Sequence, residues 1–506
     1  MKNTKFKIGI KLLSLLFCVH LALLLLFLKS PYLSPLSNDT SVCLQSSDFY
    51  AVYGAGKYAI KGESVYKDYP HSYPFRYLPI AAYIIGIPLS LLPEKQAPLV
   101  WTIFYEILLC LNIFLTFKLA KSYKNFLVAT LIWLFFMPYY IEVYMGQYSF
   151  FVATSLWVMV FLFYKKKVKL SQFFWAVSVI IKMNTLILIP LWFKIRRFIS
   201  TGIILSIIIL TSFVYFSKYP QDIYKFAVNF ESPLSSTLQW GNLGLFAFFY
   251  NLTYPSSLIK PFSFLILLLT VLALINSKTE KTDSFLPSFS LLISSYFLSY
   301  QHVWEHHYVL MLPVLIGSYL IKRDKVALYV AILLALPTPY ALLKTDENLR
   351  SIYHASKIVP VIFYYLYLLS KVHFRKKTLS YYLTISTSFI ILVWLVFSAI
   401  FAVYYERLPK TFSFLNICIA ESWGNKGEGF HVKGEVDAAF SKYLKSLEYY
   451  PLVRVHRNIG AIYANKGDTE KALYHFEEYL RLKPRADDKD VIMNYCNQVK
   501  ARMNNP

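Results

Sequence analysis

Long runs of apolar residues, bounded by charged ones, fill most of the first 400 positions of the chain. Many approach or reach the roughly 17–25 residues that a helix needs to cross a hydrocarbon core of about 30 Å. The pattern predicts spans near 8–28, 77–93, 98–117, 126–141, 149–164, 172–193, 198–217, 258–276, 285–300, 307–321, 326–342, 356–370 and 380–404. The expected fold class is therefore all-α, a polytopic membrane protein of about 11–13 helices.

One predicted span, 172–193, does not fit the simple pattern. It has basic residues at both ends and Lys182 in its middle. The segment is either one span or two half-helices that re-enter from the same side. Broken helices are tolerated in membranes where they line a protein or water-filled cavity.

Two loops, 29–76 and 218–257, are long enough to hold structure of their own, and both are predicted to be external. In the first loop, apolar and small residues recur at helical spacing on one face. They are Phe49, Val52, Tyr53, Gly56, Ala59 and Ile60. This spacing predicts an amphipathic helix that lies on the membrane interface.

After about residue 410 the composition becomes that of a soluble helical module, so we divide the chain into a membrane domain, 1–408, and a tail, 409–506. Small and aromatic residues of the tail recur after 33 positions: Gly434, Ala439, Tyr443 and Pro451 return as Gly467, Ala472, Phe476 and Pro484. The tail resembles tetratricopeptide repeats, with helix 487–502 as their cap. Such modules bind partner peptides; the alternative is a passive cap on the membrane domain.

Composition and charge agree with a membrane protein and exclude nucleic-acid binding. The chain is 57% apolar and 16% charged, against about 25% charged residues in soluble proteins. The net charge of +24 comes from basic residues in short loops between spans, at 165–169, 194–197, 322–325 and 371–377, which mark the cytoplasmic side. We expect a multi-pass protein of the inner (plasma) membrane with its C-terminal domain on the non-cytoplasmic side. The five cysteines show neither a disulfide framework nor a zinc spacing.

Asp48 is an acid in the first external loop, and it has two interpretations. As the N-cap of the amphipathic helix, its oxygen would accept a hydrogen bond from a backbone N–H. As a general base, it would take a proton from an acceptor hydroxyl at the membrane surface.

Other polar residues interrupt or flank the predicted spans. Lys182 either lines a functional cavity or extends to the cytoplasmic interface. Gln147, after Gly146, either binds a ligand or caps a helix. In the cluster 301–308, His306 and His307 point about 100° apart on a helix, which favours an interfacial or phosphate-contacting role over a metal site.

In order along the chain, these residues resemble the GT-C glycosyltransferases, and most closely glycosyltransferase family 87, the polyprenol-phosphate-mannose-dependent α-mannosyltransferase group. The resemblance covers about residues 10–400. The motifs that support it are Asp48 with Phe49 and Tyr53, Gly62 with Tyr66, Phe75-Arg76-Tyr77-Leu78-Pro79, Gly146-Gln147, Ile181-Lys182 followed by Pro190, Asn242 with Gly244, and His306-His307-Tyr308. Two positions depart from the family pattern, because Leu78 and Met183 stand where prolines are usual.

The resemblance implies transfer of a sugar from a polyprenyl-phosphate donor to a lipid or glycan acceptor on the non-cytoplasmic face, with inversion. Asp48 matches the catalytic aspartate and would be the general base. The substrate-binding residues implied are Tyr53, Arg76, Tyr77, Gln147, Lys182, Asn242, His306 and His307. No metal and no cofactor are expected, since the lipid-linked sugar is a substrate. The expected partners are this donor, the acceptor, membrane lipids and a protein bound by the tail.

Three other functions remain open at this stage. A polymerase or ligase of lipid-linked glycans would also have many spans and long external loops. A non-enzymatic scaffold would display the tail to a partner. A transporter should show paired repeats of spans and buried ion-binding acids, whereas membrane carboxylates such as Glu106 and Glu142 are few.

Overall fold

The computed structural model describes residues 2–29, 47–70, 72–230, 242–251, 256–276, 281–338 and 347–371, and most of 420–504. Within these ranges the regular structure is helical, and one isolated antiparallel bridge joins Asn242 and Trp304. The all-α fold class is therefore confirmed. The predicted span 380–404 and the first part of loop 29–76, residues 30–46, lie outside the described residues.

The helices preceding the tail are numbered in chain order. They are α1 Lys2–Lys29, α2 Ser47–Ile60, α3 Pro79–Ser90, α4 Ala97–Leu119, α5 Tyr123–Leu134, α6 Met137–Met145, α7 Ser149–Tyr164, α8 Val168–Ile181, α9 Met183–Lys194, α10 Phe198–Lys218, α11 Gln221–Phe230, α12 Leu245–Asn251, α13 Ser256–Asn276, α14 Lys281–Ser299, α15 Leu312–Lys322, α16 Lys325–Ala335 and α17 Glu347–Ser370. A 3₁₀ segment, Glu305–Met311, leads into α15.

Four stretches of the described chain are long and apolar enough to cross a membrane. They are Lys11–Leu28 in α1, α4, the α5–α6 segment Tyr123–Met145, and α10. Other apolar helices are shorter, among them α3, α7, α8 and α9. The structure thus supports a membrane protein, while the number of 11–13 spans stays a prediction.

Several predicted spans are interrupted where the hydropathy pattern runs on. The predicted span 126–141 divides into α5 and α6, with Pro138 in the first turn of α6. The predicted span 172–193 breaks at Lys182, whose backbone is extended, and resumes as a 3₁₀ turn. Proline lacks an N–H and starts a helix more readily than it continues one. The broken form of 172–193 is confirmed, and its re-entry from one side stays a prediction.

Helix α2 lies inside the protein, and the expectation that it rests on the membrane interface is wrong. Phe49, Val52 and Tyr53 are each at most 1% exposed. The helix packs against α3, and a Cβ at Gly56 would overlap the carbonyl group of Gly86. The amphipathic face of α2 is therefore covered by protein, because two glycines let the backbones approach closely.

The chain divides into two compact units, of which the second contains the C-terminal helices. These are α18 Val436–Leu447, α19 Val453–Asn465, α20 Thr469–Leu482 and α21 Lys489–Asn504. The same contact occurs twice, since Gly427 lies against the ring of Tyr443 and Gly460 against that of Phe476. Helix α21 adds Ile492 to the core around Phe476. The tetratricopeptide identity of this unit and the domain boundary after 408 stay predictions.

The contact between α2 and α3 predicts that Gly56→Ala destabilises the protein. The added methyl would meet backbone atoms of Gly86, which cannot move aside as a side chain can. We expect a loss of about 1–3 kcal/mol or more, read as a lower midpoint of thermal unfolding in detergent. The control is Gly202→Ala in α10, where the new methyl meets nothing within 4 Å. Equal midpoints for the two variants would contradict this packing.

Candidate active site

Asp48 lies in the first turn of α2, which begins at Ser47, so it is inside the helix rather than before it. Its carboxylate accepts a hydrogen bond from the side chain of Gln147 and lies within the electrostatic reach of Lys182 and Arg76. The N-cap interpretation therefore does not describe this residue. The fold brings together one acid and three polar groups from four separate parts of the chain.

Burial and charge act in opposite directions on the Asp48 carboxyl. Desolvation raises its pKa, while the two cations and the hydrogen bond from Gln147 lower it, and the net result is a pKa of about 6. The side chain is half-buried and thus accessible to a substrate. A carboxylate with this pKa is ionised at neutral pH and is a stronger base than an ordinary aspartate.

Lys182 stands at the break between α8 and α9. Its Nζ donates a hydrogen bond to Ser149 Oγ, at 2.6 Å, and another to Gln147 Oε1, at 3.3 Å. These bonds hold the ammonium inside the protein, so an extension to the cytoplasmic interface does not account for it. The charge instead faces the carboxylates of Asp48 and Glu142.

The loop between α6 and α7, together with the first residue of α7, supplies both partners of Lys182. Helix α6 ends at Gly146, whose φ of 65° favours glycine, and the Gln147 N–H donates to the carbonyl oxygen of Glu142 at 3.0 Å. The loop then enters α7 at Ser149. This geometry places Gln147 between Asp48 and Lys182, with its amide N–H toward the acid and its oxygen toward the ammonium.

Glu142 belongs to this site and was not among the predicted site residues. It is fully buried, and its Oε1 accepts the backbone N–H of Phe150 at 2.7 Å. The sequence offered one signal, a carboxylate directly after the predicted span 126–141 and one helical turn before Gly146. Its proximity to Lys182 arises from tertiary structure.

Arg76 and Tyr77 approach Asp48 from the segment before α3. The Arg76 guanidinium is exposed and lies 6.0 Å from the ring centre of Tyr73. The ring of Tyr77 packs edge-on against that of Tyr148, with centroids 5.4 Å apart, and both phenols interact electrostatically with Asp48. Burial, with the charge of Arg76, lowers the pKa of His302 to about 4, so this neighbour is neutral at physiological pH.

His306 and His307 lie in the 3₁₀ segment before α15, near Lys182. Both are buried, their rings meet edge-on at 4.4 Å, and each interacts electrostatically with Lys182. Neither ring nitrogen of His306 has a hydrogen-bond partner among the described residues. Across all the residues that the structure describes, no group of three His, Cys, Asp or Glu side chains lies close enough together to hold a metal ion.

Two other predicted binding residues make contacts within the scaffold. The hydroxyl of Tyr53 donates to the carbonyl oxygen of Leu92 at 2.9 Å. The Asn242 side chain donates to the carbonyl oxygen of Gln301 at 2.7 Å and accepts the backbone N–H groups of Gly244 and Val303. Asn242 thus fastens the 301–303 loop.

Residues 75–295 match the model of glycosyltransferase family 87. The match includes Arg76, Gln147 and Lys182, and it ends before His306. The match indicates a membrane glycosyltransferase. Such an enzyme requires a sugar donor and an acceptor. No curated protein and no solved structure gives a significant match to the chain.

The contacts of Asn242 predict that Asn242→Ala lowers the thermal stability of the protein. The change removes three hydrogen bonds. It leaves the buried N–H groups of residues 244 and 303 without these bonds, at about 1–3 kcal/mol for each buried group left unpaired, and also the half-buried carbonyl of residue 301. The measurement is the unfolding midpoint in detergent. Gln96→Ala, which truncates an exposed amide at the start of α4, is the control and should leave the midpoint unchanged. An unchanged midpoint for Asn242→Ala would show that these bonds do not hold the loop.

Proposed function

We propose that the protein transfers a sugar from a polyprenyl-phosphate donor to a lipid- or glycan-linked acceptor, with inversion, on the non-cytoplasmic face of the cell membrane. The observation on which the proposal depends is the Asp48 carboxylate, half-buried beside the cations of Lys182 and Arg76 and bonded to Gln147. The match of 75–295 to a glycosyltransferase family supports the same reaction class.

In the proposed reaction Asp48 is the general base. It takes the proton of the acceptor hydroxyl while that oxygen forms a bond to the anomeric carbon of the sugar. The bond between this carbon and the phosphate oxygen breaks, and its electron pair leaves with polyprenyl phosphate. A phosphate leaving group needs no protonation, so one carboxylate is enough, whereas glycosidases use two.

Lys182 and Arg76 would stabilise the charge that develops on the leaving phosphate. Their positions are suited to this, because both interact with Asp48 and they reach it from different segments. Fixed cations next to the developing charge are the usual form of electrostatic catalysis. His306 and His307 lie near Lys182, and a direct contact of either with the phosphate stays a prediction. Gln147 would orient both the base and the ammonium.

The proposal predicts that Asp48→Asn lowers sugar transfer by about 10²–10⁴-fold, because asparagine cannot accept the proton. Membranes that contain each variant would be given radiolabelled polyprenyl-phosphate mannose and other polyprenyl-phosphate sugars, and labelled acceptor would be measured. Asp68→Asn is the matched control. Asp68 is exposed and lies in the segment between α2 and Arg76, and it accepts the hydrogen bond from Tyr58 with its backbone oxygen, which the substitution keeps.

Two results would decide against the proposal. Transfer by Asp48→Asn at the wild-type rate would remove Asp48 as the base. A wild-type protein that transfers no sugar from any polyprenyl-phosphate donor would remove the donor class itself.

The pKa of about 6 for Asp48 predicts the pH dependence of transfer. The base must be ionised, so kcat/KM should be constant above this pH and fall about tenfold per unit below it. The measurement is kcat/KM for the donor between pH 4.5 and about 8 at fixed ionic strength. The residual activity of Asp48→Asn should lack this acid limb. A kcat/KM that stays constant down to about pH 5, as the ordinary aspartate pKa of about 4 would give, would contradict the assigned environment.

A further inference from the structure

Among the described residues, Glu142 is the one carboxylate next to Lys182 to which the proposed reaction gives no task. Its side chain is fully buried in α6. Oε1 accepts the N–H of Phe150 at 2.7 Å, and the backbone N–H of Ser149 also points to the carboxylate. These are among the first N–H groups of α7, which have no acceptor within their own helix. A negative charge is also favourable at this end of the helix dipole. Glu142 thus anchors the start of α7.

The anchored segment is the one that holds Lys182. Ser149 accepts the shorter hydrogen bond from Nζ and is itself bonded to Glu142 through its backbone. Gln147 accepts the other bond from Nζ, and its N–H donates to the backbone oxygen of Glu142. Glu142 therefore contacts both hydrogen-bond partners of the Lys182 ammonium. It can position the ammonium through them, without a direct hydrogen bond to Lys182.

The two oxygens of Glu142 have different surroundings. Oε1 accepts the N–H of Phe150, whereas Oε2 has no hydrogen-bond partner among the described residues. A glutamine can therefore keep the acceptor at Oε1 and place its NH₂ group where no bond is lost. An alanine loses the acceptor as well as the charge.

We propose that Glu142 is a positioning residue, which holds residues 146–149 so that Ser149 and Gln147 direct the Lys182 ammonium toward the donor phosphate. The inference rests on the proposed function, because it names the residue that orients the phosphate-binding lysine. Its effect is on the placement of a charge, and misplacement of about 1 Å can reduce a rate by about 10²-fold.

The test compares Glu142→Ala, Glu142→Gln and Ser149→Ala in the full-length protein, with farnesyl-phosphate mannose as the donor probe. We expect Glu142→Ala to raise the donor KM by about tenfold or more while the acceptor KM stays unchanged. Ser149→Ala, which removes only the Oγ acceptor of Lys182, should also raise the donor KM. Glu142→Gln should raise the donor KM clearly less than Glu142→Ala does, because it keeps the acceptor and loses only the charge.

The matched control is Glu106→Gln, a change of another membrane carboxylate that lies among His20 and Tyr139, away from Lys182. It should leave both KM values near wild type. A merely structural role of Glu142 would lower the amount of folded enzyme without separating the two KM values. Equal damage from Glu142→Gln and Glu142→Ala, or an unchanged donor KM in Glu142→Ala, would overturn the inference.

Amide hydrogen exchange over residues 147–152 gives a second readout that does not require turnover. Exchange should be faster in Glu142→Ala than in wild type and unchanged in Glu142→Gln, because only the first loses the acceptor for the start of α7. If the wild-type protein transfers no sugar, the proposed function is wrong. Hydrogen exchange would still test whether Glu142 holds residues 146–149 in place. Unchanged exchange in Glu142→Ala would overturn the positioning role.

Discussion

The arrangement of the site depends on keeping one ammonium, that of Lys182, among apolar helices. A charge in such surroundings is costly unless hydrogen bonds and opposite charges compensate it. Ser149 and Gln147 provide the hydrogen bonds, and Asp48 and Glu142 provide the charges. The break between α6 and α7 contributes to this compensation, since it exposes the backbone N–H groups that the Glu142 carboxylate binds.

The base is held in place by packing at the other end of its helix. Contact between Gly56 and Gly86 draws α2 against α3, and Tyr53 adds a hydrogen bond to Leu92. A helix resting on a membrane surface could tilt and slide, whereas a helix enclosed by protein fixes the first turn on which Asp48 lies. Burial of α2 thus serves the geometry of the site, and Tyr53 belongs to this scaffold.

Features that depend on a local pattern could be predicted from the sequence. Features that depend on which helices and loops pack together could not. Apolar runs indicated the helical class and most helix positions, but a hydropathy window averages over a break such as that before Pro138. The apolar face of α2 was correctly seen as needing cover, while nothing local distinguishes a lipid surface from α3. Glu142 was missed for the same reason, because its relation to Lys182 crosses 40 positions of the chain.

The charges around Asp48 also explain why acid and cations should lie together in a transferase of the proposed kind. Lys182 and Arg76 face Asp48, and Lys182 also faces Glu142. Carboxylates of the protein therefore already compensate the charges of these cations. In the proposed reaction a proton arrives on Asp48 as negative charge builds on the leaving phosphate. The charge that the carboxylate loses is therefore regained a short distance away, next to the same two cations. A site organised in this way needs little rearrangement during the reaction, which is the condition under which fixed charges are most effective in catalysis.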